Sequence, residues 1–326
     1  MADDSASDAP LFTRLPNELL DAVTSHLDKA SLCSFALTSK RMIASATDAL
    51  YMQYNNSDPP SVAPFALFLC TLCDRLDLAA KVKMVHIRGA AWRVDTVPKN
   101  EKATTKVLKE GGDPLSSSDN FTKFVEAAVK AKMMEKRESY PVTPLKDHTK
   151  WYTTLRTERD FVRLLGHGVE DAHVLLMLAL LLQLQSLIVD ALPPYPTLDW
   201  HLFFSRTGTA LRSLRYLALF GTCTTARGPS VGINLGILDM LPDLQEVHMI
   251  DLNVAFDKKG AKVFLSKNIE SVTFTNCAID LNSLKKVLVN QQLNAFRYGP
   301  GVGPKRFKTE DYFSADSLSE LLTSSR

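Results

Sequence analysis

With 326 residues, of which 45% are apolar and 23% charged, the chain has the make-up of an ordinary globular protein with one large or two modest domains. A net charge of +2 is too balanced to make nucleic acid or a membrane surface the main partner, and five scattered cysteines, an odd number, do not form a disulfide framework. The opening "MADDSASDAPLF" has neither the basic and apolar regions of a secretory signal nor the arginines of a transit peptide, so a cytoplasmic or nuclear protein is expected.

Residues 1–30 carry six acids against Arg14 and Lys29, and residues 1–10 are expected to be a disordered acidic tail. "LPNELLDAVTSHLDKASLCSFALTSKRM", residues 15–42, then reads as helices in a module spanning residues 11–54. Pro16 suits the first turn of helix one, which sets Leu19, Leu20, Val23 and Leu27 on one stripe. In helix two, Leu32, Cys33, Phe35, Ala36 and Leu37 cover roughly 220° at about 100° per residue, more than one packing surface requires. A third helix, with Thr38 as its N-cap, presents Ile43, Ala46 and Leu50 at helical spacing. A unit of about forty residues is marginal as an independent fold, so surplus apolar surface on it predicts docking against another protein. "NNSDPPSVAP" closes the module.

"FALFLCTLCDRLDLAAKV" reads as a helix and "VKMVHI" as a strand, giving a helix–strand unit over residues 62–95. Residues 96–118, rich in Lys, Ser, Gly and Pro, are expected to be a disordered basic insertion. A helical insertion over 119–169 follows, with Asp119 capping a helix through Phe121, Phe124, Val125, Ala128 and Val129, and another helix over 151–165. "VLLMLALLLQL" is too short for a bilayer, which takes ~20 apolar residues.

From residue 170 a repeat emerges. "LQSLIV", "LRYLAL", "LQEVHM", "IESVTF" and "LNAFRY", beginning at 184, 214, 244, 269 and 293, share the form L-x-x-L-x-L, each after a helical stretch: 171–182, 199–206, 233–240, 260–265 and 281–289. A helix plus a short strand at this period is the signature of a leucine-rich repeat, whose units bury their apolar faces only by stacking. Cys277 falls where such repeats place Asn or Cys, able to satisfy backbone groups in the turn after the strand, whereas Leu192, Thr222 and Leu252 at that offset make the repeats irregular. "VKMVHI" fits the same form and supplies a first repeat ahead of the insertion. "DSLSELLTSSR" reads as the helix of a further repeat lacking its strand, either a cap or a truncation. The predicted fold is α/β: a three-helix module followed by an irregular leucine-rich-repeat solenoid, over 170–326, of helices and short parallel strands.

Several motifs carry little chemistry. "GPSVG" around Ser230 matches a nucleophile elbow, but a long loop separates Ser230 from the strand before it and no doubly wound series surrounds it, so a serine hydrolase is a remote alternative. Cys70 and Cys73 lack the further ligands zinc needs, and His167 and His173 are better explained by the turn they flank. "YGPGVGPKRF" lacks the Gly-Lys-Ser/Thr of a phosphate cradle, and the lysines of 99–109 lack interleaved aromatics for nucleic acid. No metal or cofactor is implied.

Leu15-Pro16, Glu18-Leu19-Leu20, Leu27, Leu32, Ala36-Leu37 and Ser39-Lys40-Arg41 closely resemble an F-box, with Met42 where an aromatic often stands. An F-box followed by leucine-rich repeats implies the substrate-recognition subunit of a Skp-cullin-F-box ubiquitin ligase: a non-catalytic adaptor binding a Skp-family protein, through it cullin, and an unknown protein substrate for proteasomal degradation. By that resemblance Leu15, Pro16, Leu19, Leu20, Leu32, Ala36, Leu37, Lys40 and Arg41 face the adaptor, some of them also holding the module's own core. An F-box scaffold acting with the adaptor outside a ligase is the alternative. Substrate contact is expected on strand positions that alternate with the leucines: Ser186, Ile188, Asp190, Tyr216, Ala218, Phe220, Glu246, His248, Ile250, Ser271, Thr273, Thr275 and Arg297. Tyr216, Phe220, His248 and Arg297 stand out, because aromatic residues and Arg dominate binding hot spots.

Overall fold

The computed structural model describes residues 15–56, 65–88, 118–138, 140, 158–166, 170–192, 211–221, 223–224, 228–229, 232–255, 268–279, 281–289 and 293–299. The expected acidic tail, the basic insertion up to residue 117, Ser230, His167 and the glycine-rich and terminal segments after residue 299 lie outside them. The chain divides into two compact units, Met1–Tyr54 and Asn55–Arg326.

The first unit is built from α1 (Asn17–Thr24), α2 (Lys29–Ala36) and α3 (Lys40–Met52), with α1 and α2 both packed on α3. Leu20, Thr24, Leu32, Met42, Ser45 and Ala46 are buried. The buried stripe of α1 is displaced from the expected one: Leu20 and Thr24 turn inward, while Leu19 and Val23, on the adjoining i, i+4 row, stay exposed. In α3, Ile43 is exposed and Met42 and Ala46 are buried, so the helix uses a narrower stripe than sequence spacing offers. The N-cap of α3 is Ser39, whose Oγ accepts from Met42 N at 3.3 Å; Thr38, the expected cap, donates its hydroxyl to Phe35 O at 2.7 Å instead.

Asp28 caps α2 by accepting from Ser31 N at 2.8 Å, and this bond holds its carboxyl below the ordinary value. A depressed folded-state pKa means that the cap's contribution is present above the unfolded pKa and is lost as pH falls through the folded one. Melting temperatures measured downward from about pH 4 are expected to fall more steeply in the native protein than in Asp28→Asn, which caps without ionising.

The second unit opens with α4 (Phe65–Asp74), α5 (Leu76–Ala79) and β2 (Met84–Arg88), followed by α6 (Ser118–Lys130), α7 (Glu158–Gly166), α8 (Glu170–Leu180) and β3 (Ser186–Leu192). The helices expected in an insertion are part of the packed body: α6 rests on α4, α7 and α8, and α8 also rests on α4 and α7. The ring of His173 on α8 meets Phe124 of α6 edge-on at 4.9 Å, and Lys123 of α6 pairs with Asp74 of α4 at 3.0 Å. In α8, residues 172–180 are all buried, which accounts for the uniformly apolar run. Among the described residues no helix is long and apolar enough to cross a membrane.

Then come β4 (Tyr216–Gly221), a small antiparallel pair β5 (Cys223–Thr224) and β6 (Gly228–Pro229), β7 (Gly232–Asn234), a 3-10 turn (Leu235–Met240), β8 (Glu246–Ile250), β9 (Asn253–Ala255), β10 (Ser271–Thr275), β11 (Ala278–Ile279), α9 (Leu281–Val289) and β12 (Ala295–Gly299). The helix expected over 233–240 is therefore a short strand and a 3-10 turn. β1 is the short Gln53–Asn55, at the boundary of the two units in the sequence, and within the second unit the main sheet has the strand order β2-β3-β4-β8-β10-β12. From β2 onward every neighbour is parallel. The strands lie in chain order, and each falls on one of the L-x-x-L-x-L segments.

One backbone arrangement recurs at every step of this sheet. The carbonyl of Lys83 accepts the amides of Gln185 and Ser186; Gln185 O accepts Arg215 and Tyr216; Arg215 O accepts Gln245 and Glu246; Gln245 O accepts Glu270 and Ser271; Glu270 O accepts Asn294 and Ala295, all at 2.8–3.1 Å. Leu184 N donates to Leu181 O, Leu214 N to Leu211 O and Leu244 N to Leu241 O, and all six leucines are fully buried. A second parallel sheet, in the order β11-β9-β7, repeats the stacking beyond the strand ends. Between the sheets, Asp251 and Asn276 occupy equivalent left-handed positions, φ 58° and 52°, which Asp and Asn tolerate well, and Asn276 Nδ2 donates to Asp251 Oδ1.

Candidate functional site

In the first unit the residues assigned to an adaptor by resemblance fall into two sets. Leu20 and Leu32 are enclosed in the unit's own core, as is Met42. Leu15 and Ala36 are half-buried, and Pro16, Leu19, Leu37, Lys40 and Arg41 are exposed. Leu37, just past the end of α2, is 88% exposed and Leu19 51%, and Val23, Ile43 and Met52 add further exposed apolar surface. Uncovered apolar side chains gathered on a unit this small are the kind of surface that protein–protein contacts use. Exposed Arg41 also bonds within the module: its Nη2 donates to Leu15 O and to Asn17 Oδ1, the latter at 2.9 Å.

In the second unit the outward row of the main sheet carries the expected substrate-facing residues. Inward positions Val85, Leu187, Leu217, Val247 and Val272 align in register and are buried, as are Ile87, Val189, Leu219, Met249 and Phe274. The alternating positions Ser186, Ile188, Asp190, Tyr216, Phe220, Glu246, His248, Ile250, Ser271, Thr273 and Thr275 are half-buried and Arg297 is exposed. Ala218 departs from the expectation: it is fully buried, a methyl group in register between the larger Ile188 and His248.

Across this face Tyr216 and His248 bring their rings to 5.3 Å, and His248 Nε2 donates to Glu246 Oε1 at 2.7 Å. Burial, helped by the Glu246 charge, raises the pKa of the Tyr216 phenol, so it stays a neutral donor. A second pair, His86 Nε2 donating to Asp190 Oδ2 at 2.7 Å, joins β2 to β3. Arg297 aligns with Thr273, itself aligned with His248. Of the four highlighted residues, the structure brings Tyr216 and His248 together; Phe220 sits farther along β4 and Arg297 two strands away from His248. Alternation in "VKMVHI" gives His86 the same outward position, but its pairing with Asp190 across the sheet leaves no local sequence signal.

The remaining motifs stay structural where they are described. Cys73 is buried and its thiol is pushed up to about 12, chiefly by burial; burial also raises half-buried Cys70. Among the described residues no cluster of His, Cys, Asp or Glu could hold a metal ion. Cys277 is buried, donates its thiol to Met249 O at 3.2 Å and is likewise pushed up to about 12 by burial. Cys33, by contrast, is exposed on α2. Iodoacetamide at neutral pH, read by peptide mass spectrometry, is expected to modify Cys33 and to spare Cys73 and Cys277, which burial both shields and keeps in the thiol form.

Comparison with curated proteins finds no match for the chain. Residues 12–56 match the F-box-like family, a span that contains α1, α2 and α3 and every residue of the exposed apolar set. F-box domains generally bind Skp-family adaptors, and residues 12–56 form an F-box-like region ahead of a mixed α/β unit with a parallel sheet.

Proposed function

We propose that this protein is the substrate-recognition subunit of a Skp-cullin-F-box ubiquitin ligase, docking on the adaptor through Pro16, Leu19, Leu37 and their neighbours and holding a protein substrate on the second unit. The observation that carries this reading is the F-box-like match over residues 12–56 combined with the exposed apolar side chains of that span. A leucine-rich-repeat identity for the second unit is supported by the parallel strands in chain order and by the carbonyl ladder that recurs with each L-x-x-L-x-L segment. The outward sheet face, with the Tyr216–His248 contact near its middle, Phe220 on the same strand as Tyr216 and Arg297 on β12, is the substrate surface in this reading.

Such a subunit needs no catalytic residue. It raises the rate by tethering, since a substrate held beside the ubiquitin-charged enzyme meets it at high effective concentration. Purified protein mixed with a Skp-family adaptor and cullin is expected to elute as one complex. Adaptor without cullin would indicate a scaffold outside the ligase, and neither would end the reading. Replacing Tyr216, Phe220, His248 and Arg297 together should abolish substrate capture while leaving adaptor binding intact.

A further inference from the structure

We infer that Arg41 is a positioning residue for adaptor docking: it ties the start of α1 to the start of α3 and so fixes how Pro16 and Leu19 are presented. This rests on the adaptor-docking reading, but it places Arg41 inside the module's own bonding instead of against the partner.

The geometry is a fork closed on a helix entrance. Arg41, the second residue of α3, donates from Nη2 to the carbonyl of Leu15 and to Asn17 Oδ1 at 2.9 Å, and from Nε to the same Asn17 oxygen at 3.3 Å. Asn17 is the first residue of α1, and Leu15 precedes the cap. That helix needs an outside hold because its cap residue is Pro16, which offers no side-chain acceptor. The amides of Leu19 and Leu20 both close this turn on Pro16 O, at 3.1 and 3.2 Å. The guanidinium grips both sides of Pro16 at once, and Pro16 and Leu19 are the exposed apolar residues on that turn. Lysine, a single point donor, cannot span the Leu15 carbonyl and the Asn17 amide in this way.

The full-length protein and its Arg41→Ala, Arg41→Lys, Asn17→Ala and doubly substituted Asn17→Ala/Arg41→Ala forms separate this role from direct contact. Adaptor affinity, measured by calorimetry, should fall about tenfold in both Arg41 variants, as befits hydrogen bonds to a charged donor. It should fall less in Asn17→Ala, and in the double variant no further than in Arg41→Ala, because the two residues act through one joint. Amide exchange of Leu19 and Leu20 should quicken in every variant, with the Leu32 amide, bonded to Asp28 O at 2.8 Å, unchanged. Should Arg41→Ala unfold the module, Leu32 reports it and Asn17→Ala carries the comparison. Full binding by Arg41→Lys, losses that multiply in the double variant, or unaltered Leu19 and Leu20 exchange would each overturn the inference. Native protein that binds no adaptor at all would remove the docking reading, while the exchange measurements still decide whether the strut exists.

Discussion

Gly221→Ala is expected to destabilise the second unit by about 3 kcal/mol, the upper end of what overpacking costs. A Cβ at position 221 would stand 2.1 Å from the carbonyl oxygen of Asp251, 2.9 Å from its carbonyl carbon and 2.9 Å from Leu252 Cδ2. The obstacle is backbone, and it is pinned. Asp251 holds a left-handed conformation, donates its amide to Thr275 O at 3.0 Å and accepts Asn276 Nδ2 on its side chain. Relief must come from moving β4 away from β8, which opens the register of Leu217 on Val247 and Leu219 on Met249 in the buried layer. Gly299→Ala supplies the contrast: its Cβ would meet Thr275 no closer than 3.9 Å, ordinary contact distance. That change should be neutral or slightly stabilising, since alanine narrows the unfolded ensemble. Thermal melts followed by circular dichroism should show a drop of roughly 5–10 °C for the first variant and none for the second.

The glycine contrast also marks where sequence reading stops. The strands were legible because alternation on L-x-x-L-x-L is a short-range signal, and Val247 and Met249 turn inward while Glu246, His248 and Ile250 turn outward as period two requires. The close approach at Gly221 depends on a loop thirty residues away and leaves no local trace. The same holds for β7, β9 and β11, whose two or three residues each are strands only because a neighbour pairs with them. The helices over 118–130 and 158–166 were legible as amphipathic segments, but their packing on α4 and α8 follows from tertiary complementarity, so they read as an appendage. At the candidate adaptor site the F-box pattern includes Leu19 and Leu20 alike, and a pattern does not separate the two. Adjacent residues on a helix differ by about 100° in direction, and only the position of α3 decides which one is buried.

That difference in direction sets the other large effect. Leu37→Asp is expected to weaken adaptor binding by more than about a hundredfold, the scale of a hot-spot loss, and Leu19→Asp by a similar factor, with little change in melting temperature for either. Leu37 is 88% exposed and lies beyond the last turn of α2, so its replacement removes no core contact, and surface changes of this kind stay within about ±0.5 kcal/mol. A carboxylate there must instead be desolvated unpaired against the adaptor's apolar surface, at a cost of several kcal/mol. Leu20→Ala should behave in the opposite way. Its side chain is fully enclosed, and truncation leaves a cavity costing about 2–5 kcal/mol of stability. Adaptor capture by this variant should fail only in proportion to the unfolded fraction and return on cooling, whereas the Leu37→Asp defect should persist at every temperature where the module is folded. A Leu37→Asp protein that co-elutes with the adaptor like native protein would mean that the exposed end of α2 is not the docking face, and would shift the assignment to the Val23, Ile43 and Met52 surface.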